Sequence, residues 1–361
     1  MPRPINLIEY ETRAAQHLST MAMSYFAGGA ADERTLVENR AAFSRYHLRP
    51  RVLVDVSKRS LETRLLGQNI SLPVIIAPSA FHCLSHPDGE LATARAAANM
   101  GTIMVLSTMS TKSLEEVAIA ADAPKPLWFQ LYVHRDRYLT QTLVERAEAA
   151  GYQALCVTVD APVLGQRERE RRNHFTLPPG MELANLATFG NRKIPATKEG
   201  SGLLAYFAEQ LDPGLTWRDL VWLQSLTQLP VVVKGILRAD DAQMAIEHGA
   251  RAIIVSNHGG RQLDGSIATI DALGEITAAV GNRAEILMDG GVRRGTDVLK
   301  ALALGAKAVL LGRPILWGLA VDGQAGVQHV LQLLMDELDT AMALSGCANV
   351  SDVDSSLIHS I

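Results

Sequence analysis

The sequence predicts an α/β protein: a (β/α)8, or TIM, barrel with an N-terminal helical preface and a lid insertion after strand 4. Three observations carry this expectation. Eight short apolar runs recur, each rich in Val, Ile or Leu and each ending in a polar or glycine break. Continuous apolar strands of this kind suit a parallel sheet covered on both faces. Helical patterns lie between them, and strand-then-helix repeated eight times is the arithmetic of a closed barrel.

The runs begin at Pro73, Thr102, Pro126 and Ala154, then at Pro230, Ala252, Ala284 and Ala308. Helical periodicity is clearest over residues 113–121, 141–150, 239–248 and 295–304. The first 70 residues read as a helical preface, with helices over 7–18 and 33–43 and no core pattern of their own. They are expected to pack on the barrel, so residues 1–361 form one domain. The interval between the fourth and fifth runs is anomalously long. Its excess, approximately 171–216, is rich in Gly, Pro, Asn and Lys and reads as an unstructured, mobile lid.

Composition excludes several classes. With 48% hydrophobic and 20% charged residues the chain reads as a globular protein with a large core. A net charge of -4 offers no surface for nucleic acid. The run from Arg167 to Arg172 reads as a solvated face. Three scattered cysteines match no metal-ligand spacing and suit a reduced cytoplasmic compartment. His82 and His86 have helical spacing, but Pro87 follows and no metal site is expected. No apolar run is long enough to span a bilayer.

Chemistry in such a barrel collects at the C-terminal ends of the strands. There the sequence places Ser79 and Ala80; Ser107 and Met109; Gln130 and Tyr132; Thr158 and Asp160. The second half adds Lys234; Ser256, His258 and Arg261; Asp289, Gly290, Gly291 and Arg293; Gly312 and Arg313. In the break Ser256-Asn257-His258-Gly259-Gly260-Arg261, a base and a permanent cation stand three positions apart. Together they can hold a small carboxylate and take a proton from it. The glycines and arginines after strands seven and eight suit a phosphate, because glycine lets backbone N–H groups approach an anion. Lys234 ends an apolar run, where a buried ammonium calls for an anionic partner or a role as base or Schiff-base amine.

These residues resemble the FMN-dependent 2-hydroxy-acid oxidase family, the glycolate oxidase and L-lactate oxidase type. The likeness runs from Tyr25-Phe26-Ala27-Gly28-Gly29-Ala30 through His258-Gly259-Gly260-Arg261-Gln262 to Gly312-Arg313-Pro314. Ile76-Ala77-Pro78, His86-Pro87 and Thr158-Val159-Asp160 add to it. The resemblance implies that His258 is the active-site base, supported by Asp160. It implies that Arg261 and Arg167 hold the substrate carboxylate, while Tyr25 and Tyr132 contact carboxylate and hydroxyl. For the cofactor FMN it implies Ser107, Gln130, Thr158, Ser256 and Lys234 at the ring, with Pro78, Ser79 and Ala80 near N5. Asp289, Gly290, Gly291, Arg293, Gly312 and Arg313 fall to the ribityl phosphate. Hydride transfer and a carbanion route both fit this set.

The same resemblance implies a flavoprotein oxidoreductase acting on a small 2-hydroxy acid, with O2 reduced to hydrogen peroxide. It implies a homotetramer, or two tetramers paired into an octamer, with no nucleic-acid or membrane partner. Plant-type glycolate oxidases usually carry an aromatic residue where this chain has Met109. A narrower, adaptable side chain leaves room for a methyl group, so L-lactate is expected over glycolate, with pyruvate as product. The alternatives are a glycolate oxidase and a dehydrogenase that uses a quinone or other acceptor. Membrane-bound dehydrogenases of this kind are expected to carry an apolar insertion, and Lys193, Lys198 and Glu199 make this one polar.

Overall fold

The computed structural model describes residues 2–122, 126–190, 194–195 and 201–360. Lys193, Lys198 and Glu199 of the insertion lie outside them. Eight parallel strands close into a barrel: β1 Val74–Ile76, β2 Met104–Ser107, β3 Leu127–Leu131, β4 Leu155–Thr158, β5 Val231–Ile236, β6 Ala252–Val255, β7 Glu285–Asp289 and β8 Ala308–Leu311. Each expected strand is present. Helices follow them in turn: α1 Gly89–Asn99, α2 Leu114–Ala120, α3 Arg137–Ala149, α4 Trp217–Ser225, α5 Ala239–Glu247, α6 Thr269–Val280, α7 Gly295–Ala303 and α8 Arg313–Leu344. Every helix but α3 begins within a residue of its expected place where the sequence marked one. The third starts four residues early because Asp136 caps it, accepting from the N–H groups of Tyr138 and Leu139.

Alternation along the strands divides the apolar residues into two cores. Outward residues such as Val74, Ile76, Leu106, Phe129 and Val157 pack under the helices. Inward residues Ile75, Val105, Trp128, Cys156, Val232, Ile254, Leu287 and Leu310 fill the barrel, so its interior is solid and not a pore.

Two expectations need correction. The segment 1–70 is not purely helical. Thr63–Leu65 and Gln68–Ile70 form an antiparallel hairpin, and its Leu65 and Ile70 join the inner core, closing the N-terminal end of the barrel. Tyr46–Leu48 pairs antiparallel with Ile358–Ser360, tying the two ends of the chain together. The insertion is not unstructured either. It contains a helix, Gly202–Gln210, whose end is stitched to the loop after β3 by the bridge between His134 and Leu211. Burial of Leu203, Tyr206 and Phe207 drives that helix onto the barrel. Among the described residues no helix is long and apolar enough to cross a membrane.

Candidate active site

Period-two geometry builds the floor of the site. Two positions beyond each inward residue stand Ala77, Ser107, Gln130, Thr158, Lys234, Ser256, Asp289 and Gly312, one from every strand. They form a ring at the mouth of the barrel. Seven of them line one cavity; Ser256 lies beneath, where its hydroxyl accepts from Lys234 Nζ at 2.8 Å. Gln130 bridges to the neighbouring strand, donating from Nε2 to Thr158 Oγ1 at 3.0 Å.

Lys234 has the anionic partner its burial demands. Its ammonium lies 3.0 Å from Asp289 Oδ2. Burial works to lower the lysine pKa, but Asp289 and Asp160 outweigh it and the ammonium is held well above its ordinary range. A permanently protonated amine is no Schiff-base nucleophile. Among the described residues the second oxygen of Asp289, Oδ1, is buried without a partner.

His258 and Asp160 come from β6 and β4. His258 Nδ1 lies 2.8 Å from Asp160 Oδ1, which leaves Nε2 toward the cavity that the histidine lines. Asp160 itself stands behind the wall. Asp160 makes the imidazole more basic only in part. Burial dominates and holds the His258 pKa below its ordinary value, with Asp160 pulling it back up. Burial would raise the Asp160 pKa, but His258 and Lys234 reverse it and the carboxylate stays ionised. His258 has a φ of 58°, in the left-handed region that costs a non-glycine residue about 1–3 kcal/mol. The turn tolerates it because Ser256 Oγ accepts the His258 N–H at 3.1 Å and Asn257 exchanges two side-chain hydrogen bonds with Asn39, at 2.8 and 2.7 Å.

The arginine run is the third correction. Glu168–Arg172 is a helix, but Arg167 and Glu170 are buried and not part of a solvated face. Glu170 Oε1 accepts from both Arg261 Nη2 at 3.0 Å and Arg167 Nη1 at 3.4 Å. One carboxylate therefore faces two guanidinium groups, leaving an excess positive charge on a wall shared with Tyr25 and Tyr132. Burial, then Arg167, press the Arg261 pKa downward, a charge that an incoming anion would relieve. The Arg261 guanidinium also covers the Tyr25 ring at 4.8 Å.

At the opposite end, Gly290 and Gly291 have φ of 95° and 84°. A Cβ on Gly291 would fall 1.8 Å from the Asn39 carbonyl oxygen, so the turn admits only glycine. Arg293 is held down to about 10 by burial, and among the described residues its buried Nε has no partner. Arg313 is held down to about 9 by burial and by Arg261 and Arg293. Its hydrogen bonds go to the carbonyls of Phe26, Gly28 and Gly259, and among the described residues neither arginine has a carboxylate. Two desolvated cations beside glycine turns fit a phosphate group. An uncommitted Asp289 oxygen and a ring of amide, hydroxyl and ammonium groups fit a polar-edged flat ring next to it.

Pro78, Ser79, Ala80 and Met109 line the remaining wall, with Met109 2% exposed. All the residues singled out in the sequence thus meet at this cavity, with Asp160 and Ser256 one layer behind it. Sequence reasoning missed Leu203 and Phe207, which also line it from the helix within the insertion. Their i, i+3, i+4 spacing with Tyr206 in an apolar patch was the available signal.

A match to the FMN-dependent dehydrogenase family spans residues 14–360. An L-lactate oxidase from Nostoc sp. is 65% identical over 358 residues, covering 99% of this chain and 98% of the relative. Glycolate oxidase 3 of Oryza sativa subsp. indica is 53% identical over 96% of this chain and 94% of its own. Among solved structures, mandelate oxidase with (S)-4-hydroxymandelic acid superposes with a TM-score of 0.93 at 42% identity, over 99% of both chains.

Proposed function

The chain belongs to the FMN-dependent dehydrogenase family, and from that premise we propose that it oxidises L-lactate to pyruvate and reduces O2 to hydrogen peroxide. FMN is its cofactor; when bound it takes two electrons from the 2-hydroxy acid and passes them to dioxygen. Arg293, Arg313 and the backbone of Gly291 and Gly312 would hold its phosphate. The free Asp289 oxygen suits a hydroxyl of the sugar chain. Ser107, Gln130 and Thr158 would meet the ring, with Lys234, held from beneath by Ser256, supplying a fixed positive charge and Pro78 to Ala80 lying against it.

The substrate carboxylate binds Arg261 and Arg167, whose shared Glu170 leaves one positive charge to be answered. Tyr25 and Tyr132 position the carboxylate and hydroxyl. Clamped at two points, the substrate presents its Cα hydrogen in one orientation, which is an entropic contribution to the rate. His258 Nε2 accepts the proton that the substrate loses, and Asp160 stabilises the imidazolium through Nδ1. Met109, Leu203 and Phe207 enclose the substituent on Cα. A thioether beside that substituent accommodates a methyl group, and the 65% identity with an L-lactate oxidase supports the same preference.

The observation that carries this reading is the His258–Asp160 pair at 2.8 Å on a cavity also lined by Arg167 and Arg261. A panel of 2-hydroxy acids, from glycolate to mandelate and with both lactate enantiomers, tests it with peroxide as readout. The expected result is the highest kcat/KM for L-lactate with stoichiometric peroxide. A higher value for glycolate reverses the substrate assignment, and dye reduction without peroxide makes the protein a dehydrogenase.

A further inference from the structure

Glu90, the second residue of α1, is 0% exposed, and no ion pair among the described residues includes it. The nearby His82 is no counter-ion: burial pushes its pKa down, and its Nδ1 is bonded to Thr93 Oγ1 at 2.9 Å. A buried carboxylate without a cation persists where hydrogen bonds satisfy it. Glu90 accepts three, and they come from two different loops. Oε1 accepts the His82 N–H at 3.1 Å, from the loop after β1, and the Thr111 N–H at 2.9 Å, from the loop after β2. Oε2 accepts the Thr111 hydroxyl at 2.7 Å. That hydroxyl in turn accepts the Cys83 N–H at 3.2 Å, so the loops are laced together around one side chain.

Each loop carries a wall of the active-site cavity. Ser79 and Ala80 belong to the first, and Met109 to the second, two residues past Ser107 at the end of β2. Between Ala80 and His82 sits Phe81, fully buried, with a φ of 62°. A bulky aromatic keeps a left-handed backbone only where its surroundings over-determine it. One restraint is the Phe81 N–H reaching Met109 O at 3.4 Å; the next along the chain is the His82 bond to Glu90. Gly89, just before Glu90, adds a third fixed point: a Cβ there would meet Cys83 Sγ at 2.5 Å.

From this geometry we propose that Glu90 is a positioning residue that sets the separation of Ala80 and Met109, and with it the size of substituent admitted on the substrate's Cα. The proposal rests on the 2-hydroxy-acid reading of the cavity. Glu90 touches neither substrate nor cofactor. It acts through two loops that meet at Phe81 and Thr111.

Three variants of the FMN-loaded enzyme test it. Glu90→Gln keeps the length and an accepting oxygen for both N–H groups, and its amide can donate to Thr111 Oγ1. Glu90→Asp withdraws the carboxylate by one methylene. Thr111→Val removes one donor and leaves Glu90 itself intact, which covers the case of a Glu90 variant that fails to fold. Two quantities are read: kcat/KM for L-lactate against L-2-hydroxybutyrate, and the affinities of pyruvate and 2-oxobutyrate from the change in flavin absorbance. The expected result is a ratio shifted about threefold or more toward the longer compounds in Glu90→Asp and Thr111→Val, through KM more than kcat, and within about twofold of the parent in Glu90→Gln. Lowered Tm with unchanged ratios in both disruptive variants would overturn the proposal, as would a Gln variant that behaves like Asp. The ligand affinities are read without turnover, so failure of the parent to oxidise any 2-hydroxy acid remains a separate result.

Discussion

Asp160 and His258 meet at 2.8 Å although their strands, β4 and β6, are held apart by β5. The intervening strand makes room. Gly235 interrupts the β5–β6 register between Lys234 and Ile236 and has a φ of 114°. A Cβ there would stand 2.6 Å from Asp160 Cβ. One residue without a side chain lets two strands that are not neighbours share a proton-handling pair.

Gly235→Ala therefore places a methyl group where Asp160 is, in a backbone conformation alanine resists. The expected outcome is a loss of about 1–3 kcal/mol in stability, seen as a lower Tm. A fall in kcat should accompany it, because Asp160 is pushed off Nδ1. Parent-like turnover at a reduced Tm would show that the pair tolerates displacement.

The His258 imidazole must be neutral to accept a proton. Burial holds its pKa below the ordinary histidine value of about 6.5. Activity should accordingly rise with pH through a midpoint on the acid side of that value and then level off. Asp160 is what draws the pKa upward, so Asp160→Asn should move the rising limb to still lower pH. The plateau should drop about 10²–10⁴-fold as the imidazolium loses its partner. Profiles of kcat/KM against pH for parent and variant check both statements.

Arg293 and Arg313 are desolvated cations awaiting an anion. Replacing either with Met should weaken FMN binding by about 2–5 kcal/mol. Riboflavin, which lacks the phosphate, should bind parent and variants alike. Fluorescence titration of apoprotein with the two flavins separates a phosphate contact from general damage to the site.

Met109→Trp fills the space beside the substrate's Cα. It should shift the kcat/KM ratio from lactate toward glycolate by about 10–200-fold, the range for one methylene in an apolar pocket. An unchanged ratio would move the discrimination to Leu203 and Phe207.

The barrel and most of the cavity were legible because both obey local rules. Val, Ile and Leu runs marked the strands, and a period of two then carried Ser107, Gln130, Thr158, Lys234 and Asp289 to the same end. What stayed hidden depends on distant partners. Nothing local to Glu170 says that it is buried between two arginines, because Arg261 lies 91 residues away. Nothing local to Asn39 announces its pairing with Asn257, 218 residues on. The helix Gly202–Gln210 was masked by the glycine- and lysine-rich composition just before it. The small hairpin turns at Leu66-Gly67 with φ of 45° and 85°, where Asn-Gly or Asp-Gly would have marked it, and its strands of three residues are too short to show alternation.

The hairpin that plugs the N-terminal end has a consequence for how this enzyme can be changed. Leu65 and Ile70 complete an apolar column that supports the barrel from the side away from the chemistry. Met109, Leu203 and Phe207 sit at the other end and add little to that column. Exchanging them for another 2-hydroxy acid draws on a stability reserve held elsewhere, so this scaffold can be retuned at its rim while its foundation stays as it is.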